Sequence, residues 1–243
     1  MKTYILDIPI ENITLENAVK KLLAFLQGDK NNIVITPNPE IVMKAQKDKE
    51  LADIIKQADL VVPDGIGLVL ASYIMKPKLS QRVAGIDLML SFFELAPAGT
   101  TVYILGAKDG VAKMAKEKIE AKYKNIAVIG FHSGYFDITQ EKVIIQEIER
   151  LEPHVLLVGL GAPKQEKWMQ KNKGFPVKIS VGVGGAIDVM AGVVKRAPRA
   201  FVSLNLEWFY RLATDPKRIV RMGALPKFVF RVVTEKISKK RKE

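Results

Sequence analysis

Short apolar runs alternate with amphipathic segments from Ile33 to Val183 of this chain. Six runs have strand length and contain β-branched residues: Ile33–Thr36, Leu60–Pro63, Val102–Leu105, Ala127–Phe131, Val155–Gly159 and Ile179–Val183. Between them, apolar residues recur every three or four positions, as in Ile41–Lys56, Ile86–Leu95, Val111–Tyr123 and Glu141–Leu151. Strands that alternate with helices form right-handed βαβ units. The sequence therefore predicts an α/β, Rossmann-like fold, with a mostly parallel sheet and helices on both faces.

Glycines and polar residues follow each predicted strand. They form six segments, at residues 36–40, 64–67, 106–110, 132–137, 159–166 and 182–188. In open parallel sheets, ligands bind beyond the carboxyl ends of the strands. The six segments therefore predict one large site at a single edge of the sheet.

Two glycine pairs among these segments can bring backbone N–H groups close to a phosphate. They are Gly159-x-Gly161 and Gly182-x-Gly184. Neither pair completes a dinucleotide fingerprint, and the chain has no P-loop motif. Taken singly, each pair is more typical of a tight turn. Together they favour a phosphate-bearing ligand that is neither NAD nor a P-loop nucleotide.

Asp64 follows a predicted strand and stands between Pro63 and Gly65. Two interpretations stay open on local sequence: an Asx-turn or helix N-cap for the segment from Ile66, or a general base that faces the site. Asp188 is ambiguous in the same way. Asn38, followed by Pro39, has the pattern of a helix N-cap with proline at the first helical position.

The sequence has few residues that could bind a metal and no cysteine that could supply a thiol. It has no cysteine and no Asp-x-Asp pair, and its two histidines, His132 and His154, are not at ligand spacing. We therefore expect both histidines to be structural and the protein to need no metal and no cofactor. The charge of a diphosphate ligand would be neutralised by arginines and backbone N–H groups.

Positive charge collects in the last part of the chain. Residues 196–243 carry a net charge of +9, whereas residues 1–195 carry +3. This contrast predicts an α/β core over 1–195 and a basic helical appendage over 196–243. The expected helices are Ser203–Ala213, a second capped by Asp215 with Pro216 at its start, and a third after Pro226.

The basic side of this appendage has two interpretations. Arg211, Arg218 and Arg221 fall on one side of a roughly continuous helical path. That side is either a solvated basic surface or a guanidinium cluster for a diphosphate. In the second case Trp208, Phe228 and Phe230 would meet the bilayer interface, since basic amphipathic helices with aromatic residues favour anionic membranes.

These motifs, taken in chain order, closely resemble those of the WecG/TagA/CpsF glycosyltransferases, glycosyltransferase family 26. The resemblance covers nearly the whole chain and rests on Thr36-x-Asn38-x-Glu40, Asp64-Gly65-x-Gly67, Arg82-Val-x-Gly85-x-Asp87, Gly159-x-Gly161-x-Pro163-x-Gln165-Glu166, Gly182-Val-Gly184, Arg196-Ala-Pro198 and Leu206-Glu207-Trp208-x-x-Arg211-Leu212. Within the family the chain looks most like the branch that acts in wall teichoic acid synthesis.

The resemblance implies transfer of N-acetylmannosamine from UDP-ManNAc to the 4-hydroxyl of GlcNAc-diphospho-undecaprenol. The β-1,4 bond would form with inversion and without a required metal. The implied partners are the UDP-sugar donor, the polyprenyl-diphosphate-linked GlcNAc acceptor and an anionic membrane surface. The implied location is peripheral, on the cytoplasmic face of the bacterial plasma membrane.

The same resemblance assigns roles to individual residues. Asp64 becomes the catalytic base. The expected substrate-binding residues are Thr36, Asn38, Arg82, Tyr135, Gly161, Gln165, Glu166, Gly184, Asp188, Arg211, Arg218 and Arg221.

Other functions stay open beside this one. A related branch transfers the uronic acid from UDP-ManNAcA to the same lipid. The net charge of +12 and the Lys239-Lys240-Arg241-Lys242 segment also permit nucleic-acid binding, but we expect none because the charge lies in the appendage and no nucleic-acid motif accompanies it. A homo-oligomer also stays open. Removal of the appendage would expose apolar surface on the core, so we expect a truncated core to self-associate where the full chain does not.

Overall fold

The computed structural model describes residues 1–204, 206–214 and 223–240. The chain opens with an antiparallel hairpin of β1 (Lys2–Ile5) and β2 (Ile8–Glu11). A six-stranded sheet follows, in the spatial order β4-β3-β8-β7-β5-β6, and all its neighbouring strands are parallel. Its strands are β3 (Asn32–Ile35), β4 (Leu60–Val61), β5 (Thr100–Gly106), β6 (Ile126–His132), β7 (Val155–Gly159) and β8 (Ile179–Gly182).

Helices cover both faces of this sheet. They are α1 (Leu15–Phe25), α2 (Pro39–Ala45), α3 (Lys49–Gln57), α4 (Ile66–Met75), α5 (Gly85–Leu95), α6 (Val111–Lys122), α7 (Ile138–Leu151), α8 (Lys164–Lys171), α9 (Ala186–Met190), α10 (Arg199–Ser203), α11 (Glu207–Thr214) and α12 (Ala224–Lys240).

The apolar core has two layers because successive side chains of a strand point to opposite faces of the sheet. Val34, Ile104 and Leu157 pack under α1, α5, α6 and α9. Their neighbours Ile35 and Leu156 pack on the other face, with the hairpin and with α2, α3, α4, α7, α8 and α12. The predicted α/β fold, with a parallel sheet and helices on both faces, is confirmed.

One predicted helical segment is divided in the structure, and one predicted strand is half as long. The segment Ile41–Lys56 is two helices, because the Asp48 carboxylate accepts a hydrogen bond from the backbone N–H of Leu51 and starts α3 anew. The strand predicted over Leu60–Pro63 ends at Val61. Pro63 has no N–H to donate to a neighbouring strand, and its carbonyl accepts from Val83 in the next loop instead.

The appendage also differs from the prediction. The helix expected over Ser203–Ala213 is divided into α10 and α11. The helix α12 begins at Ala224, before Pro226, because a proline in the first turn lacks only an N–H that would have no helical partner there. The helix expected to start at Asp215 and Pro216 lies outside the described residues.

Helix α12 packs against α2 and α4 of the core. Phe228 and Val232 are each 1% exposed and belong to the same apolar layer as β3, α2 and α4. The expectation that Phe228 meets the bilayer interface is therefore wrong, because its ring is enclosed by the protein. The division at residues 195 and 196 stays a prediction.

We predict that Phe228→Ala lowers the free energy of unfolding by about 3–5 kcal/mol, since it removes a buried ring and leaves a cavity. Phe230→Ala is the matched control, because Phe230 on the same helix is 69% exposed. Its effect should stay within about 0.5 kcal/mol. Urea unfolding followed by circular dichroism measures both, and equal midpoints for the two variants would show that α12 does not dock on the core.

Candidate active site

The loops after β3, β4 and β8 are joined directly at the carboxyl edge of the sheet. The Thr36 hydroxyl, buried, donates to the carbonyl oxygen of Gly182 over 2.9 Å. The backbone N–H of Asp64 donates to the carbonyl oxygen of Pro37 over 3.0 Å. These bonds place the predicted residues Thr36, Asp64 and Gly184 on three adjacent strand ends.

The loops after β5, β6 and β7 form the other half of this edge. The backbone N–H of Ala107 donates to Gly159 over 3.3 Å, and that of Gly134 donates to Ala107 over 2.8 Å. Gly106 has φ +147°, and a Cβ atom there would lie 2.6 Å from the Gly159 carbonyl oxygen. Glycine is thus required for the backbones to approach this closely.

Asp64 is fixed by the first residue of α5. Its Oδ1 atom accepts a hydrogen bond from the backbone N–H of Gly85 over 3.1 Å, and its side chain is 31% exposed. Helix α4, which starts at Ile66, has no side-chain cap. The N-cap interpretation of Asp64 for the Ile66 segment is therefore wrong. Instead, the carboxylate lies at the positive end of α5, at the site edge, where a negative charge is favoured.

Arg82 joins Asp64 to the appendage. Its Nε–H donates to the Asp64 carbonyl oxygen over 2.6 Å, and its NH2 group donates to Oε2 of Glu207 over 2.7 Å. The same NH2 group lies 4.0 Å from Oδ1 of Asp64. The ion pair with Glu207 is largely enclosed, since the Glu207 side chain is 4% exposed. Arg82 thus lies beside the expected base and contacts it through the backbone, while its role in substrate binding stays a prediction.

The predicted pattern did not single out Glu207 as a functional residue. Glu207 stands in the Leu206-Glu207-Trp208 motif on which the resemblance rests, but the resemblance assigned no role to it. Only the docking of α11 shows that its carboxylate reaches Arg82.

Gln165 connects the loops after β7 and β8. Its Oε1 accepts from the backbone N–H of Gly184 over 3.2 Å, and its Nε2 donates to Oε1 of Glu166 over 2.8 Å. Glu166 itself is 0% exposed. Its carboxyl is enclosed beneath the edge, where it supports Gln165, and its expected role in substrate binding stays a prediction.

Burial also shifts the pKa of Glu166. Removal from water raises the pKa of its carboxyl above the ordinary value of 4.5, and this exceeds the opposing effect of the Gln165 hydrogen bond. Within the described residues, its Oε2 atom has no hydrogen-bond partner. A protonated carboxyl suits such a site better than a carboxylate does.

The remaining predicted residues are spread along the edge. Asn38 caps α2, with Oδ1 accepting from the Ile41 N–H over 3.0 Å, so its N-cap interpretation is confirmed. Gly161 has φ +77° in the loop before α8. Asp188 lies in the first turn of α9, half-buried, below the Gly184 loop.

Tyr135 is not brought next to Asp64. It follows β6, whereas Asp64 follows β4 at the opposite side of the sheet, with four strands between them. At about 4.8 Å per strand, the two loops start roughly 24 Å apart. The Tyr135 side chain is 71% exposed, so contact with a ligand held by Asp64 requires a ligand or a loop that spans this distance.

Two of the three arginines expected in the appendage lie outside the described residues. Arg211 belongs to α11, but its side chain is not among those described, and Arg218 and Arg221 lie outside the described residues. Their roles stay predictions.

Both histidines contact neighbouring protein groups. Nδ1 of His154 lies 2.7 Å from the Thr101 hydroxyl, and Nδ1 of His132 lies 2.9 Å from the Ser133 carbonyl oxygen. Across residues 1–204, 206–214 and 223–240, no three His, Asp or Glu side chains cluster as a metal site would require. Over the same ranges, every helix is too short or too polar to cross a membrane.

Comparison with known proteins decides the family. The sequence pattern of the glycosyl transferase WecG/TagA/CpsF family matches residues 3–242. The chain belongs to this family. The resemblance seen in its motifs is thereby confirmed over nearly the whole length.

Two curated relatives from Staphylococcus aureus are similar to this chain over almost their entire length. A Staphylococcus aureus MRSA252 protein is 36% identical over 239 residues, which cover 97% of this chain and 93% of the relative. Its counterpart in strain NCTC 8325 is 35% identical over the same shares. Both are named N-acetylglucosaminyldiphosphoundecaprenol N-acetyl-beta-D-mannosaminyltransferase.

The buried carboxyl of Glu166 predicts a pH effect on stability. Because its folded pKa is raised above 4.5, the folded state binds more protons than the unfolded state once the pH exceeds 4.5. The free energy of unfolding should therefore fall as the pH rises from 4.5 to the folded pKa. Glu166→Gln removes this contribution, so its stability relative to the unmodified protein should increase across that window and then level off.

Urea unfolding of both proteins at a series of pH values measures this difference. Glu16→Gln is the matched control, because the hydrogen bond from Lys20 lowers the pKa of the exposed Glu16. The difference in stability between Glu16→Gln and the unmodified protein should be small, and it should decrease rather than increase as the pH rises. A Glu166→Gln difference that stays constant with pH would contradict the raised pKa.

Proposed function

We propose that this chain transfers N-acetylmannosamine from UDP-ManNAc to the 4-hydroxyl of GlcNAc-diphospho-undecaprenol, with inversion, in the synthesis of the wall teichoic acid linkage unit. The observation that carries the proposal is the full-length similarity to relatives named for N-acetylmannosaminyl transfer to this lipid. The partly exposed Asp64 carboxylate at the carboxyl edge of the sheet supplies a base where the fold binds ligands.

The mechanism is a single displacement at the anomeric carbon. Asp64 accepts the proton of the acceptor 4-hydroxyl while that oxygen attacks the anomeric carbon of the donor. The bond to the UDP oxygen breaks on the opposite face, so the configuration inverts. The Gly85 N–H fixes the orientation of the Asp64 carboxylate, which suits a base that must be aligned before the reaction.

The diphosphate requires positive partners as its charge develops. Backbone N–H groups of the Gly161 and Gly184 loops and the guanidinium groups of Arg211, Arg218 and Arg221 are the proposed partners. Thr36, Asn38, Arg82, Tyr135, Gln165 and Asp188 are proposed to line the pocket of the sugar nucleotide. We further propose that the reaction needs no metal ion.

The two alternatives receive no support from the relatives. Their names specify the neutral N-acetylmannosaminyl group rather than its uronic acid. Nucleic-acid binding rested on net charge alone, and the family of the chain is one of glycosyltransferases.

The deciding experiment incubates the purified protein with GlcNAc-diphospho-lipid and either UDP-ManNAc or UDP-ManNAcA. Disaccharide-lipid should form with UDP-ManNAc, and equally well in EDTA. Product from UDP-ManNAcA alone would move the chain to the uronic acid branch, and a loss in EDTA that Mg²⁺ restores would overturn metal independence.

We predict that Asp64→Asn lowers turnover by about 10²–10⁴-fold, the usual contribution of a general base. The amide oxygen can still accept the Gly85 hydrogen bond, so the loop should keep its geometry. UDP affinity, measured by calorimetry, should therefore change little. Near-normal turnover in this variant would remove Asp64 from the role of base.

We also propose a membrane-facing surface made of α12 and α4. Val229, Phe230, Val233 and Ile237 form one exposed stripe on α12, opposite the buried Phe228 and Val232. The adjacent α4 exposes Leu70, Tyr73 and Ile74. Lys76 and Lys78 lie exposed beside this surface, and Nζ of Lys78 is 4.7 Å from the Tyr73 ring centre. An apolar surface with basic neighbours fits the anionic cytoplasmic leaflet.

We predict that Phe230→Ser weakens binding to phosphatidylglycerol-containing vesicles by about fivefold, roughly 1 kcal/mol for a partly inserted ring. Leu95→Ser is the control, since Leu95 is also exposed but ends α5 on the opposite face of the sheet. Vesicle sedimentation measures both. Equal affinities of the two variants would show that α12 does not face the membrane.

A further inference from the structure

The ion pair of Arg82 and Glu207 lies where the appendage meets the candidate base. Glu207 is the first residue of α11, and Arg82 stands in the loop that leads into α5. The side chains are 4% and 15% exposed, so water screens their attraction little. A carboxylate enclosed to this degree requires a cationic partner.

The planar guanidinium of Arg82 contacts both the Asp64 backbone and the Glu207 carboxylate. The guanidinium uses Nε for the Asp64 carbonyl oxygen, at 2.6 Å, and NH2 for Glu207, at 2.7 Å. Because a guanidinium is planar, two bonds to different nitrogens fix its orientation. In this orientation NH2 stays 4.0 Å from Oδ1 of Asp64, beyond hydrogen-bond distance.

Glu207 therefore competes with the Asp64 carboxylate for the same NH2 group. If the Glu207 charge is removed, a small rotation brings that NH2 group onto Asp64. A direct ion pair would make Asp64 a weaker base and would turn its carboxylate away from an acceptor hydroxyl.

We propose that Glu207 is a positioning residue, which holds the Arg82 guanidinium on the Asp64 backbone and away from the Asp64 carboxylate. The inference rests on the proposed function, in which Asp64 is the base. This role for Glu207, the acidic residue of α11, does not follow from its position in a basic segment.

The test is Glu207→Gln, which keeps the shape of the side chain and removes its charge. We expect kcat to fall about tenfold, while the KM for UDP-ManNAc changes less than about twofold. Glu207→Asp, which keeps the charge, should recover part of the loss. A role in folding alone would not separate kcat from KM in this way.

A double-mutant cycle shows whether Glu207 acts through Arg82. If it does, Arg82→Gln combined with Glu207→Gln should be no slower than Arg82→Gln alone. Losses that multiply would overturn the inference, as would a normal kcat in Glu207→Gln.

Arg196→Gln is the matched control. Arg196 pairs with Asp87 of α5 and so also links the appendage to the core, but this pair is more exposed. Its removal should leave kcat within about twofold. An equal loss in Arg196→Gln and Glu207→Gln would reduce Glu207 to a general anchor of the appendage.

Thermal unfolding of each variant separates activity from folding. If Glu207→Gln does not fold, Arg82→Lys is the second variant: it keeps a cation opposite Glu207, but one ammonium cannot hold both oxygens in the same way. It should show the same loss of kcat, and a normal kcat in the folded variant would overturn the inference. An unmodified protein without transferase activity would instead contradict the proposed function.

Discussion

The parallel pairing of β3 with β8 is the interaction on which the rest of the structure depends. It joins residues 32–35 to residues 179–182, across most of the chain. The Thr36 hydroxyl continues the junction beyond the strands by its bond to Gly182. Because β8 separates β3 from β7, the loops that carry Thr36, Gly184 and Gln165 become neighbours, and the candidate site cannot exist before the last strand is in place.

Close contacts with the Pro39 ring explain why glycines follow Asp64. A Cβ atom on Gly65 would lie 2.6 Å from Cδ of Pro39, and one on Gly67 would lie 2.7 Å from Cγ of the same ring. The start of α4 thus packs directly on the start of α2. These glycines let the Asp64 loop lie against the Asn38 loop, and the short spacing holds Asp64 beside the sugar-nucleotide pocket that we propose.

The helix α12 serves two surfaces at once. Its Phe228 and Val232 complete the apolar layer over α2 and α4, while Phe230 and Ile237 point to the opposite side. A helix of this kind cannot leave the core without exposing the buried Phe228 and Val232 side chains. The basic segment is therefore integrated with the core at α12 and, through Glu207 and Arg82, with the candidate site.

Local sequence determined the class of fold and the edge where the site lies. Short apolar runs and a periodicity of three to four residues report which segments face a core, and glycine and polar residues after each strand mark the carboxyl edge. For that reason the strands, the parallel sheet and the Asn38 cap were predictable. The motifs around Asp64, Arg82 and Gln165 were also sufficient to recognise the family.

Tertiary structure alone decided which of these residues touch each other. Asp64 binds the start of α5 rather than its own helix, Glu166 is enclosed, and Phe228 faces the core although its neighbour Phe230 does not. Each outcome depends on a partner distant in the chain. Arg82 and Glu207, for example, are 125 positions apart. Periodicity shows that a side chain is buried or charged, but the group that meets it is chosen only when the strands and helices pack.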